Sequence, residues 1–328
     1  MTPLFLPKLV NEPFGDPAVF MQIRHEKTAV LFDLGDLSRL PARKLMKISH
    51  IFVSHCHMDH FIGFDQLLRC VLGRQKNIRI FGPPGILSHV RGKLAGYTWN
   101  LVENYSLSLT ISEIHPDQYL CSQTLFCRDG FQEQALKKTP FPNHTILSTP
   151  NFSVQAVILD HKIPCAAYSL QEPFHINFRQ DVLDENSWPR GPWLTELRKA
   201  IRSKIPENTC FKVAGKIYSL HELTQLLTII TPGQKIGYVT DINASRKNFE
   251  LVKELIRGVD ILFCEAAFLD NDQQKADQTY HLTASQAGRL ARESQVKKLV
   301  IFHFSPKNHG CEQLYYQEAA KNFSGQIA

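Results

Sequence analysis

Ser54-His55-Cys56-His57-Met58-Asp59-His60 places three imidazoles and one carboxylate in six positions, His55 to His60, directly after the apolar run His50 to Val53. Neutral imidazole and carboxylate are ligands suited to zinc and similar divalent ions. In a tight turn, alternate residues can face two neighbouring ions, so His55 and His57 can serve one while Asp59 and His60 serve the other. Core hydrogen bonds readily satisfy one histidine but not a run this dense in ligand types, and we read it as metal-binding. Two ions need more than four ligands. His161 in LDHKIP, Asp241 in GYVTDIN and His303 in VIFHFSP each follow a β-like run. The ends of strands are where α/β folds place functional groups. Each alone reads as a capping or packing residue; together, beside the His-rich run, they complete a candidate metal set.

The elements that must position these residues show in the hydrophobic pattern. Short apolar runs at Val30-Leu31-Phe32, Ile51-Phe52-Val53, Ile78 to Phe81, Phe152 to Leu159, Ile236 to Val239, Ile261 to Phe263 and Leu299 to Phe302 predict buried strands. Helical spacing follows at Phe64 to Leu72, Phe249 to Arg257 and Thr283 to Glu293. Strands alternating with helices indicate a layered α/β architecture. One segment, 172–212, breaks the rhythm with charge, Pro and Trp, and reads as an arm inserted into a single domain of residues 1–328. Within it, Trp193 to Ser203 has the pattern of an amphipathic helix. The N-terminal 46 residues offer little beyond Leu31-Phe32-Asp33-Leu34-Gly35-Asp36, a strand and turn.

The 328 residues, 43% hydrophobic and 21% charged, suit a globular chain with a sizeable core and exclude a disordered one. A net charge of +6 permits an anionic substrate without requiring one. The opening MTPLFLPKLVNEPFGD has no long apolar stretch, so no signal peptide is expected, and no run is long enough to cross a bilayer. The eight cysteines are scattered without a CxxC pair. They read as reduced thiols of a cytoplasmic protein rather than a disulfide scaffold or a cysteine zinc site.

His55-Cys56-His57-Met58-Asp59-His60 resembles the HxHxDH signature of the metallo-β-lactamase superfamily, and within it the chain is most similar to ribonuclease Z, the endonuclease that trims the 3′ trailer of precursor tRNA. Phe81-Gly82-Pro83-Pro84-Gly85 resembles that family's strand and loop after the metal motif. LDHKIPCAAYSLQEP resembles its third metal motif. Arg190-Gly191-Pro192-Trp193-Leu194 resembles the Gly-Pro arm that grips the tRNA elbow. Asp260 to Phe268 resembles the HEAT segment, His281-Leu282-Thr283 the His-Ser-Thr segment, and His303-Phe304-Ser305-Pro306 the last metal motif. The similarity runs from about Lys47 to Lys307. The small glycine-rich opening loop is absent. Cys264 and Ala267 replace the His and Thr of HEAT, and Lys307-Asn308 replaces Arg-Tyr after HFSP. These altered positions are expected to lie around the substrate rather than the metals.

The resemblance implies an αββα sandwich of two mixed sheets with helices outside, a projecting arm, and metals in a cleft at one edge. It implies one zinc on His55, His57 and His161, another on Asp59, His60 and His303, and Asp241 bridging, with Mn2+ or Fe2+ as alternative ions. Asp59 would orient the attacking water, His281 would protonate the leaving 3′ oxygen, and Glu265 would orient His281. Arg190, Gly191, Pro192 and Trp193 would contact RNA. Arg179, Arg198, Lys199, Arg202 and Lys204 would add cations, and Trp188 and Trp193 stacking faces. Asp181, Asp184, Glu185 and Glu196 dilute that charge, and alternatively the arm is a dimer contact or solvated surface; the resemblance implies a homodimer. The altered positions favour one rival, a hydrolase of small or cyclic phosphodiesters or another ester on the same metals. A rival of another class is a nucleic-acid-binding protein that has lost catalysis, against which the complete ligand set counts.

Overall fold

The computed structural model describes residues 3–328, which fall into two compact units. The larger takes Phe5–Ile146, Val154–Leu170 and Lys235–Ala328; the smaller takes Leu147–Ser153 and Gln171–Gln234, with Pro3 and Leu4.

Eight strands run in sequence through the first sheet of the larger unit: β1 (Phe5–Leu9), β2 (Val19–Ile23), β3 (Ala29–Phe32), β4 (Ile48–Phe52), β5 (Asn77–Gly82), β6 (Ser108–His115), β7 (Tyr119–Phe126) and β8 (Lys137–Pro140). The sheet is mixed: β3 to β6 pair in parallel and the flanking strands antiparallel. Then come β9 (Thr145–Ser148), β10 (Ser153–Asp160) and β11 (Pro164–Gln171). Four short strands, β12 (Phe174–Phe178), β13 (Cys210–Val213), β14 (Lys216–Ser219) and β15 (Thr228–Pro232), make two ribbons of the smaller unit. The chain ends with β16 (Lys235–Val239), β17 (Ile261–Glu265), β18 (Lys298–Phe302) and β19 (Gln326–Ile327). The second sheet has the order β19-β18-β17-β16-β11-β10-β9.

The period-2 alternation of strands explains how these layers meet. Leu31, Ile51 and Ile80 face one way, into a core with Phe64, Leu67, Val71, Ile86 and Val90 from the helices Phe64–Val71 and Ile86–Ala95. Their neighbours Phe32, Phe52 and Phe81 face the other way and meet the second sheet. Phe32 packs tilted on Phe52 at 5.5 Å and stacks on Tyr238 at 5.2 Å, Phe52 stacks on Phe81 at 5.2 Å, and Tyr238 on Phe302 at 5.6 Å. On the far side of the second sheet, Leu262, Leu299 and Ile301 pack with Phe249, Val252, Ala287 and Leu290 from the helices Arg246–Ile256 and Ala284–Glu293. Each buried aromatic of the middle layer contributes about 1.5–3 kcal/mol. The result is the helix–sheet–sheet–helix sandwich expected from the sequence.

The smaller unit has its own core, in which Val182, Leu183, Trp188, Leu197, Leu220, Leu223 and Leu227 pack together. The segment read from the sequence as 172–212 lies inside it, and the unit continues through β14, the helix Leu220–Leu227 and β15 to Gln234. Arg190 bonds Gln180 and Asp184, Gly191 is extended, and Pro192 opens the helix Pro192–Arg202, where its missing N–H leaves no bond unmade. Trp193 donates to the Pro189 carbonyl at 2.7 Å. Trp188 is only 5% exposed, so it offers no stacking face; its indole is needed to fill a small core. Of the cations, Arg179 pairs with Asp181, Arg190 with Asp184, and Arg202 with the buried Glu172, while Arg198 covers the Phe178 ring. Lys199 and Lys204 are exposed. No helix among the described residues is long and apolar enough to cross a membrane. The eight cysteines are free thiols.

Candidate metal centre

The strands deliver the chemistry at their carboxyl ends, all within the larger unit. β4 runs into Ser54 and the His-rich turn, and the short helix Met58–Phe61 carries Asp59 and His60. His161 follows β10, Asp241 lies two residues beyond β16, Glu265 ends β17, and His303 follows β18. Asp241 and His303 adopt left-handed φ of 51° and 63°. Such backbone costs energy in non-glycine residues and persists where the surroundings dictate it, often at functional sites.

Asp241 stands at the middle. Its Oδ2 lies 3.5 Å from His55 Nε2, 3.5 Å from His161 Nε2 and 3.4 Å from His60 Nε2, while Oδ1 lies 3.3 Å from His303 Nδ1. Asp59 Oδ2 is 3.4 Å from His60 Nε2 and 3.1 Å from His303 Nε2. His57 lies edge-on to His55 and joins the set of His55, His161 and Asp241, whose ligand atoms lie within 4.8 Å of one another. Most of these separations exceed a good N–H···O bond. They match the spacing of two ligands on one tetrahedral zinc, about 3.3–3.4 Å for bonds near 2.0–2.1 Å. His55 Nε2, His60 Nε2 and His303 Nδ1 are buried with no hydrogen-bond partner. Buried polar atoms are otherwise nearly always satisfied, so these nitrogens fit a metal they face together. His57 is exposed and Asp59 half-exposed, so one side of the cluster opens to solvent.

The outer ring nitrogens are bonded in a way that turns the inner ones to the cluster. His60 Nδ1 donates to Asp33 at 2.8 Å, His161 Nδ1 to the Tyr280 carbonyl at 2.8 Å, and His55 Nδ1 contacts Ser54 Oγ at 3.1 Å. Such partners select the tautomer and orient a ligating ring. Burial, with the neighbouring imidazoles, pushes the His55 pKa down to about 2, so its imidazole is neutral and able to coordinate. Burial works against the charge of Asp59 and Asp241, but the surrounding imidazoles outweigh it and hold both carboxyls below their ordinary range.

His281 enters from a loop, with its ring 5.0 Å from that of His161 and 5.4 Å from that of His303. Its Nδ1 donates to Glu265 Oε2 at 2.7 Å. Burial opposes its charge, yet the Glu265 carboxylate prevails and the pKa rises to about 9. Glu265 is fully buried, and its other oxygen accepts from Ile242 N at 2.7 Å, which ties it to the loop after Asp241.

The nine residues read from the sequence as metal-binding or catalytic therefore share one cluster, whereas Arg190, Gly191, Pro192 and Trp193 form the helix start of the smaller unit. Sequence reading missed Asp33, which follows β3 at φ 54° and accepts bonds from Ser54, His60 and Tyr238. Its signal was an acid directly after a buried strand, the same signal that picked out Asp241. The altered positions do not all border the cluster. Cys264 is fully buried in the core against the helices, because it alternates with Glu265 along β17. Ala267 is 4% exposed beside Phe268 and Ala276, and Lys307 pairs with Asp272. The expectation that these positions surround the substrate is thus corrected for Cys264: it packs in the helix-side core.

With this geometry in view, the chain belongs to the family of the β-lactamase superfamily domain, whose profile matches residues 31–126 and 206–304. A ribonuclease Z of Deinococcus radiodurans is 27% identical over 302 residues, covering 90% of this chain and 89% of that protein. Two solved structures share the fold. The metallo-β-lactamase fold protein YhfI of Bacillus subtilis has a TM-score of 0.56 at 15% identity, covering 98% of this chain and 94% of that one. The short form of human tRNase Z has a TM-score of 0.52 at 18% identity, covering 99% and 95%.

Proposed function

We propose that the protein is a dinuclear-zinc phosphodiesterase of the ribonuclease Z type, an endonuclease that removes the 3′ trailer of precursor tRNA. The observation that carries this reading is the Asp241 carboxylate, set among His55, His60, His161 and His303 at the spacing of shared metal ligands. Similarity over nine-tenths of the chain to a protein named ribonuclease Z supports the substrate. His55, His57 and His161 would hold one ion, Asp59, His60 and His303 the other, and Asp241 both. When bound, such a pair activates water near neutral pH and neutralises charge on a phosphoryl oxygen.

The chain's own groups supply the rest. Asp59, half-exposed at the open side, orients the attacking water. His281, kept protonated by Glu265, donates a proton to the leaving 3′ oxygen. Residues 172–212, read as an arm within one domain of 1–328, would contact RNA through Arg190, Gly191, Pro192 and Trp193 or meet a second copy in a homodimer. We place the protein in the cytoplasm.

The test is single-turnover cleavage of a precursor tRNA carrying a 3′ trailer, by wild type and Asp59→Ala, with bis-p-nitrophenyl phosphate as a second substrate. Cleavage after the discriminator base that Asp59→Ala abolishes is the expected result. Intact tRNA beside turnover of the small diester would overturn the tRNA assignment and leave a small-diester hydrolase.

A further inference from the structure

Asp33 is fully buried and accepts four hydrogen bonds. Oδ1 accepts from Ser54 N at 2.6 Å; Oδ2 accepts from Ser54 Oγ at 2.7 Å, His60 Nδ1 at 2.8 Å and the Tyr238 hydroxyl at 2.6 Å. Three of these donors belong to the ligand loop itself, two on Ser54 and one on His60. The fourth crosses from the second sheet. Tyr238 lies on β16, three residues before Asp241, with its ring stacked between Phe32 and Phe302 at interplanar angles of 20° and 26°. That packing fixes the hydroxyl independently of the loop. Burial, with Asp33 beside it, pushes the Tyr238 hydroxyl well above its ordinary pKa, so it stays a donor.

We propose that Tyr238 is a positioning residue for the metal centre: its hydroxyl anchors Asp33 to the strand bearing Asp241, so that His60 donates through Nδ1 and presents Nε2 to Asp59 and Asp241. The inference rests on the metal-binding reading above. A carboxylate with donors only from the ligand loop would be placed by that loop alone; one pinned also from β16 sets the loop's His60 in register with Asp241. Partners that orient a metal-ligating histidine are worth 10–100-fold in metal affinity. Tyr168 supplies an internal control. It is equally buried, packs on Phe52 and donates to the Val53 carbonyl at 2.6 Å, but makes no bond to Asp33.

The experiment titrates metal-free protein with Co2+ and follows the visible absorption of the two ions, together with the thermal midpoint before metal is added. Tyr238→Phe keeps the stacked ring and removes only the hydroxyl. It should weaken one ion about tenfold and leave the affinity and spectrum of the other unchanged. Tyr168→Phe should bind both ions as wild type does. Asp33→Asn should weaken the same ion, and adding Tyr238→Phe to it should cause no further loss, because both changes act through one link. Wild-type binding by Tyr238→Phe, an equal loss in Tyr168→Phe, or independent losses in the double variant would each overturn the inference while the metal reading stands. A wild type that binds no Co2+ would overturn both.

Discussion

Glu265 and His281 share one hydrogen bond of 2.7 Å, and it decides what His281 can do. A neutral imidazole beside cations could not give a proton to a leaving alkoxide; an imidazolium held by a buried carboxylate can. The raised pKa of about 9 means the donor is present below that value and is lost as pH rises through it. Glu265→Gln removes the charge that raises it, so the alkaline fall in kcat should begin at lower pH than in wild type. A pH–kcat profile that does not move would show that His281 is not the donor. His281→Ala should lower kcat by about 10²–10⁴-fold without removing metal, since it takes away general-acid catalysis alone. Metal analysis of the purified variant checks the second half of that expectation.

Elements hold these residues in place by close backbone approach. Gly63, just after the ligand-bearing helix Met58–Phe61, donates to the Leu34 carbonyl at 2.7 Å, and a Cβ on it would meet the Gly35 carbonyl oxygen at 2.2 Å. Neither partner is a flexible side chain, so Gly63→Ala must push the ligand turn away from the β3 turn. Overpacking of this kind costs about 1–3 kcal/mol. The expected result is a lower denaturation midpoint together with reduced metal occupancy; full occupancy would mean that the turn absorbs the shift. In the smaller unit the corresponding device is electrostatic. Glu172 is fully buried, bonds Arg202, accepts from His175 at 3.0 Å and from Gln234 N at 3.2 Å, and its own N–H donates to the Gln234 carbonyl. Arg202→Met leaves that carboxylate without its cation and should destabilise the unit by about 3–5 kcal/mol, as breaking buried pairs does. Adding Glu172→Gln should recover part of the loss. Fluorescence of Trp188 and Trp193 during urea unfolding reports on this unit.

At the scale of the molecule, both sheets of the larger unit end at one cluster, so bound ions would join them. Five histidines and two aspartates from the ends of four strands converge there, and such a set repels itself or needs protons unless cations are shared among them. Metal bound to the folded state alone stabilises it by mass action, about 2.7 kcal/mol at a hundredfold excess over Kd. Chelation should therefore lower the thermal midpoint and abolish diester hydrolysis together, and zinc should restore both. Loss of activity with an unchanged midpoint would mean that the ions contribute nothing to holding the sheets.

Read without coordinates, the chain already showed the ligand types and the strands that lead to them, β4, β10, β16 and β18. Their signals are local: dense His and Asp after an apolar run, and Leu-Phe or Ile-Phe pairs alternating along buried strands. The helix Thr283 to Glu293 was legible for the same reason, since Thr283 and Gln286 cap it within one turn. Other roles depend on distant segments meeting. Asp33 reads as an ordinary turn acid until Ser54, His60 and Tyr238, 205 residues away, converge on it. Cys264 reads as an altered substrate position until the pleat of β17 turns it into the core and its neighbour Glu265 toward His281. Trp188 reads as a surface stacking face until the smaller unit, short of apolar volume, buries it. In each case residue type was set by the chain, whereas role was set by which face of a strand or core the side chain was given.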